Sequence, residues 1–211
     1  MPNHVATIMV VEGGTEAERA EFLKDITVEK NEFDLNKLLK RPEILSQKGS
    51  PIKIVTEEEY KELQESNSPQ LYQAMTEEQS KNLIAEYGAD NWYDWMINNW
   101  GTKWGIYDLT CESELKFSYN TAWSPATTFY INISTKYPSL TFYHEFADEG
   151  GFFVGYERIQ DGVIKETADY KWESENGVEI RKRVRGWYED EDEDENEDTP
   201  NPIEKDTGNE L

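Results

Sequence analysis

Residues 3–12, NHVATIMVVE, are apolar on both alternating faces, with Val5, Met9 and Val11 on one and Ala6, Ile8 and Val10 on the other. Such a segment suits the interior of a sheet rather than its edge, so it predicts an inner strand near the sheet centre. Gly13 and Gly14 break the strand. Thr15 followed by Glu18 is a capping-box signature, opening a helix in which Ala20, Leu23 and Ile26 face the sheet. The chain therefore begins strand, then helix.

Residues 27–90 read as a helical insertion. In FDLNKLLKRPEIL the apolar Phe33, Leu35, Leu38, Leu39, Ile44 and Leu45 recur, but Pro42 and Pro51 interrupt any continuous helix. Thr56 caps TEEEYKELQES, Thr76 caps EEQSKNLIAEY, and Gly88 ends the second of these helices. Asp90 is placed to cap NWYDWMINNW, whose Trp92, Trp95, Met96 and Trp100 form one broad apolar face before Gly101. Strands are expected over 105–110 and 114–121, joined around Cys111 to Ser113. Ser124-Pro125 starts a helix with Ala126, Phe129, Tyr130, Ile133 and Tyr137 as its stripe. Segments 139–147, 152–160, 163–172 and 178–187 follow, separated by Glu149-Gly150-Gly151, Asp161-Gly162 and Asn176-Gly177, the signals of an antiparallel meander. The order gives an α+β class: a ferredoxin-like antiparallel sheet with a βαββαβ core, helices on one face, and extra C-terminal strands over 161–188.

Charge divides the chain. Of 211 residues, 44 are acidic and 21 basic, for a net charge of -23, which disfavours nucleic acid or an anionic membrane as a partner held by bulk electrostatics. Residues 189–211 hold twelve acids against one Lys, or -11, leaving -12 for residues 1–188. A run of this kind buries too little apolar surface to offset its ordering entropy, so the reading is a folded domain over 1–188 and a disordered acidic tail. A single cysteine, Cys111, excludes an internal disulfide, a multi-cysteine zinc site and an iron–sulfur cluster held by this chain alone. No apolar run reaches the roughly 20 residues of a membrane helix. MPNHVATIMVVEGG has no basic region before its apolar stretch and is not an export signal, so a cytoplasmic location is expected.

The segments WYDWMINNWGTKWGIYD (92–108), TAWSPA (121–126) and DEGGFFVG (148–155), with the NHV strand and FDLNKLL, resemble the YubB-type ferredoxin-like domain family of phage and plasmid proteins. The resemblance spans most of residues 3–160. It implies the fold, without any cluster, and a mobile-element origin; it carries no catalytic residues.

Candidate chemistry is sparse. Trp92 and Trp95 offer an aromatic platform for a partner, though helical spacing equally suits packing on the sheet. Asn98, Asn99, Lys103 and Trp104 at the helix end are surface candidates whose polar groups also serve the turn. VEIRKRVRGWY, read as a strand, sets Arg181, Arg183 and Arg185 on one face, either to touch phosphate or to guard a sheet edge. Gly13-Gly14-Thr15 opens a helix N-terminus, but Glu12, Glu16 and Glu18 surround it, and capping explains it better than phosphate binding. His144, near Glu145 and Asp148, lacks a paired histidine or an activated nucleophile, so no catalytic residue, metal or cofactor is assigned. The expectation is a non-enzymatic accessory protein that binds a host or element protein through its aromatic and acidic surface, with inhibition of a defence or nucleic-acid enzyme by acidic mimicry as its purpose. A nucleic-acid-binding module using the sheet face and the three arginines is the alternative. A remoter one is a small metal-dependent hydrolase around His144 and Asp148.

Overall fold

The computed structural model describes residues 3–27 and 33–185. The chain opens with strand β1 (His4–Gly13) and helix α1 (Glu16–Ile26). The insertion follows as α2 (Leu35–Leu38), α3 (Glu43–Ser46), β2 (Lys53–Val55), α4 (Glu57–Glu65), a 3-10 turn (Pro69–Tyr72), β3 (Ala74–Thr76) and α5 (Glu77–Tyr87). Then come α6 (Trp92–Trp100), β4 (Tyr107–Ser113), β5 (Lys116–Ala122), α7 (Thr127–Ser134), β6 (Leu140–Asp148), β7 (Val154–Gln160), β8 (Val163–Asp169) and α8 (Glu175–Arg185).

The main sheet has the order β4-β5-β1-β6-β7-β8, antiparallel throughout, while β2 and β3 form a separate parallel pair. β1 is an inner strand as its two apolar faces require: Met9 lies opposite Phe117 on one side and His144 on the other. Within β4-β5-β1-β6, the helix-connected strands β1 and β4 flank β5, and β5 and β6 flank β1. That interleaving is the ferredoxin-like βαββαβ arrangement.

One sheet face carries the principal core. Thr15 caps α1 with the expected reciprocal bonds to Glu18, and the helix sinks Phe22 and Ile26 fully, while Ala20 stays exposed. Phe22 meets Phe142 and Tyr137 edge-on at 5.3 and 5.4 Å, the offset geometry favoured by ring quadrupoles. α7 adds Phe129, Tyr130 and Ile133; α6 adds Trp95, Met96 and Trp100, whose Nε1 donates to the Leu39 carbonyl at 3.0 Å and ties the insertion to the core. Asn91, not Asp90, caps α6, accepting from the N–H groups of Tyr93 and Asp94 at 3.0 Å. Asp90 instead accepts the Ser80 hydroxyl at 2.6 Å.

Residues 178–185 correct the sequence reading of a strand over 178–187, whose last two positions lie outside the described residues. The expected strand is helix α8, which seats Ile180 and Val184 on Ala6, Ile8, Ala147 and Val154, so the second sheet face is also covered. Apolar residues at i and i+4 drive this seating, and Glu175 in the first turn with Lys182, Arg183 and Arg185 in the last complement the helix dipole. Gly177 is not a hairpin turn either; a Cβ there would stand 2.3 Å from the Lys171 carbonyl oxygen, so only glycine lets the helix approach. The acidic tail expected over 189–211 lies outside the described residues.

Candidate binding surface

The end of the sheet where β1 begins and β5 and β6 finish carries a chain of side chains in contact. Lys103 Nζ lies 4.2 Å from the Trp123 ring centre and 4.9 Å from that of Trp104, between two indoles. Trp123 meets Tyr93 edge-on at 6.1 Å, and Tyr93 meets Trp92 at 5.7 Å. Trp123 remains 43% exposed.

Backbone bonds build this platform. Thr102 Oγ1 donates to the Ala122 carbonyl at 2.9 Å, Thr121 Oγ1 to the Ser124 carbonyl at 2.8 Å, and the Trp123 N–H to the Asn3 carbonyl at 2.9 Å. The clamped segment forces Trp123 to φ 73°, left-handed backbone that a bulky L-residue adopts at a cost of about 1–2 kcal/mol. Nearby, Asn3 also donates to Asp148, and the turn after β6 holds Phe152 at 80% exposure.

Of the residues singled out in the sequence, Trp92, Lys103 and Trp104 come together here. Trp95 is a core residue at 4% exposure. Asn98 donates to the Gly88 carbonyl at 3.4 Å, Asn99 Nδ2 to the Trp95 carbonyl at 2.8 Å; both serve the helix and its neighbours. Tyr93 and Trp123 were missed. TAWSPA carries Trp123 in plain view, but nothing in the sequence signals its backbone conformation.

The three arginines do not share a face. On a helix Arg181 and Arg185 lie one turn apart, over the Trp172 ring at 4.5 and 5.9 Å, whereas Arg183 points to the sheet and makes a bidentate bond to Glu145 at 2.8 Å. The two-residue periodicity behind a phosphate-facing stripe therefore does not apply, and α8 covers one face of the sheet.

His144 is 0% exposed beneath α7, with Nε2 at 2.8 Å from Glu157 Oε2, which also accepts the Thr127 hydroxyl at 2.7 Å. Burial alone would raise the Glu157 pKa, but the bonds from His144 and Thr127 outweigh it and hold the carboxyl below its usual value. Asp148, 1% exposed, accepts from Asn3 and from the Phe152 N–H at 3.3 Å. Both groups work inside the fold. Among the described residues no three histidine, cysteine or carboxylate side chains gather in a metal-ligating cluster. A groove of about 670 Å³ runs past Thr56, Glu57, Glu59, Thr76, Glu77 and Lys81, but the helix N-termini there are closed by their own capping boxes. No helix among the described residues is long and apolar enough to cross a membrane.

Residues 99–200 match the family model for the ferredoxin-like domain in Api92-like protein. The matched stretch begins at the end of α6 and takes in strands β4, β5, β6, β7 and β8 but not β1, and it contains Lys103, Trp104 and Trp123. The crystal structure of protein Api92 from Yersinia pseudotuberculosis superposes with a TM-score of 0.44 and 8% identity, covering 81% of this chain and 98% of that one. No curated protein matches the chain.

Proposed function

We propose that this chain is a non-enzymatic binding protein that docks on a partner protein through the aromatic end of its ferredoxin-like domain, with Trp123 as the anchor. The observation that carries the reading is the exposed indole held in left-handed backbone. Stability alone favours glycine or asparagine at such a position, and strain kept at an exposed aromatic is the mark of a site shaped for something else. Tryptophan buried at the centre of an interface supplies much of a complex's energy. Lys103, wedged between Trp104 and Trp123, fixes their rings in advance and lowers the ordering cost of docking. With a chain charge of -23, a basic partner surface is drawn in fastest and the association rate falls with salt. An accessory role on a phage or plasmid, in the cytoplasm, with inhibition of a defence or nucleic-acid enzyme as its purpose, is supported by the YubB-type resemblance and the acidic charge.

Affinity capture from phage- or plasmid-bearing bacterial cells, run in parallel with wild type and Trp123→Ala, tests this. A protein retained by the wild type should be lost by the variant, and the purified pair should weaken by roughly 30-fold or more on substitution. Identical captured sets for the two proteins would refute the reading.

A further inference from the structure

A cavity of about 130 Å³ opens between α8 and the second sheet face, walled by Tyr143, Tyr156, Tyr170, Asn176 and Ile180 beside the Glu145–Arg183 pair. Glu145 stands in the middle of β6 with its side chain 9% exposed, and a carboxylate so buried must be paired. Its oxygens take both the Arg183 guanidinium and the Tyr143 hydroxyl, the latter at 2.6 Å. Tyr143 and Tyr156 stand 5.7 Å apart and Tyr156 and Tyr170 6.4 Å apart, so three phenol rings line the cavity along with the carboxylate, the Tyr156 hydroxyl itself donating to Glu166 at 2.7 Å. Phenol faces attract cations, and Arg158 already uses Tyr143 in this way at 4.3 Å. Three tyrosines beside a buried carboxylate, with room for a group the size of a guanidinium, are the groups that hold a cationic side chain.

We propose that this cavity is a recognition site for an arginine or lysine side chain of a partner protein, its carboxylate held in the free chain by Arg183 as an internal ligand. The internal ligand is exchangeable. Arg183 keeps its side chain 49% exposed, whereas Ile180 and Val184 hold α8 on Ala6, Ile8, Ala147 and Val154 with Tyr170 and Trp172 beside them, so the guanidinium can swing out while the helix stays seated. Once Arg183 swings out, Glu12 and Glu166 keep Arg158, whereas Glu145 and Glu179 lose the ion-pair partner they share. An ion pair is also a poor choice for merely fastening a helix, since apolar residues of the same volume do so at least as well. The proposal stands apart from the aromatic end and does not depend on Trp123.

The test is calorimetric titration of the full chain with N-acetyl-arginine amide, and with N-acetyl-glutamine amide as the uncharged control. Arg183→Met should bind the arginine probe about tenfold more tightly than wild type, and adding Glu145→Gln should abolish the gain. Should Arg183→Met fold poorly, hydrogen exchange on the wild type decides: millimolar arginine probe should accelerate the amides of residues 175–185, and the control should not. Equal affinity in wild type and Arg183→Met overturns the proposal. In the exchange experiment, amides indifferent to the probe do the same.

Discussion

An indole at φ 73° stores backbone energy that a glycine would release, and this separates two kinds of tryptophan in the chain. For Trp123→Gly, relief of about 1–2 kcal/mol is set against lost ring contacts of about 1–2 kcal/mol and the extra freedom of unfolded glycine. The variant should therefore unfold in urea within about 1 kcal/mol of wild type while losing partner capture. Trp95→Ala, emptying a site 4% exposed, should cost about 3–5 kcal/mol. A comparable cost at Trp123 would make its indole a structural element. Glu157 gives a pH test at the same scale. Its folded pKa lies below the usual glutamate value of 4.5, so its contribution is complete above that pH and disappears as pH falls through the folded pKa. Between pH 6 and about 3.5, Glu157→Gln should lose less stability than wild type, measured by urea midpoints, and equal losses would locate the acid sensitivity elsewhere.

Helix α8 shows where reading elements from sequence succeeds and where it fails. Thr15, Thr56 and Thr76 were legible as caps because a capping box is a local device, written in four consecutive residues. The doubly apolar β1 announced its inner position for the same reason. In VEIRKRVR the charges alternate with apolar residues as in a strand, yet Ile180 and Val184 also satisfy helical spacing. Only the waiting patch of Ala6, Ile8, Ala147 and Val154 decides between them, and that patch is assembled from strands far apart in sequence. Of the candidate surface, Trp92, Lys103 and Trp104 were visible in one segment. Trp123 and Tyr93 join them through tertiary contact and a backbone conformation that composition does not encode. Because Gly177, Ile180 and Val184 are the buried residues of α8, single changes there are decisive. Ile180→Ala should cost about 2–4 kcal/mol, and Gly177→Ala, forcing a Cβ toward the Lys171 carbonyl, about 1–3 kcal/mol. Faster hydrogen exchange confined to residues 175–185 would verify both; protection unchanged in either variant would mean that α8 is held by other contacts.

At the scale of the whole molecule, like charge works against the compact state. A net charge of -23, with -11 of it in residues 189–211, exceeds what local pairs neutralise. Pairs such as Lys81–Glu77 and Lys136–Asp25, at 2.5 Å, lie at the surface, where each contributes little and salt weakens it further. Screening should then help more than it harms. Raising sodium chloride from about 0.02 to 0.5 M, where the Debye length drops from roughly 20 to 4 Å, should raise the Tm by a few degrees. Truncation after Tyr188 removes twelve carboxylates and one lysine, and should shrink that salt-induced rise by reducing the self-repulsion it relieves. If the Tm instead falls with salt, attraction within the fold outweighs repulsion, and the Glu145–Arg183 and Arg158–Glu166 pairs on the second sheet face are the first places to look. The same experiment bears on recognition. A chain whose folded stability rises with salt while its partner complex weakens must owe the two effects to different charges: repulsion within itself, and attraction toward a basic surface that it meets only in the complex.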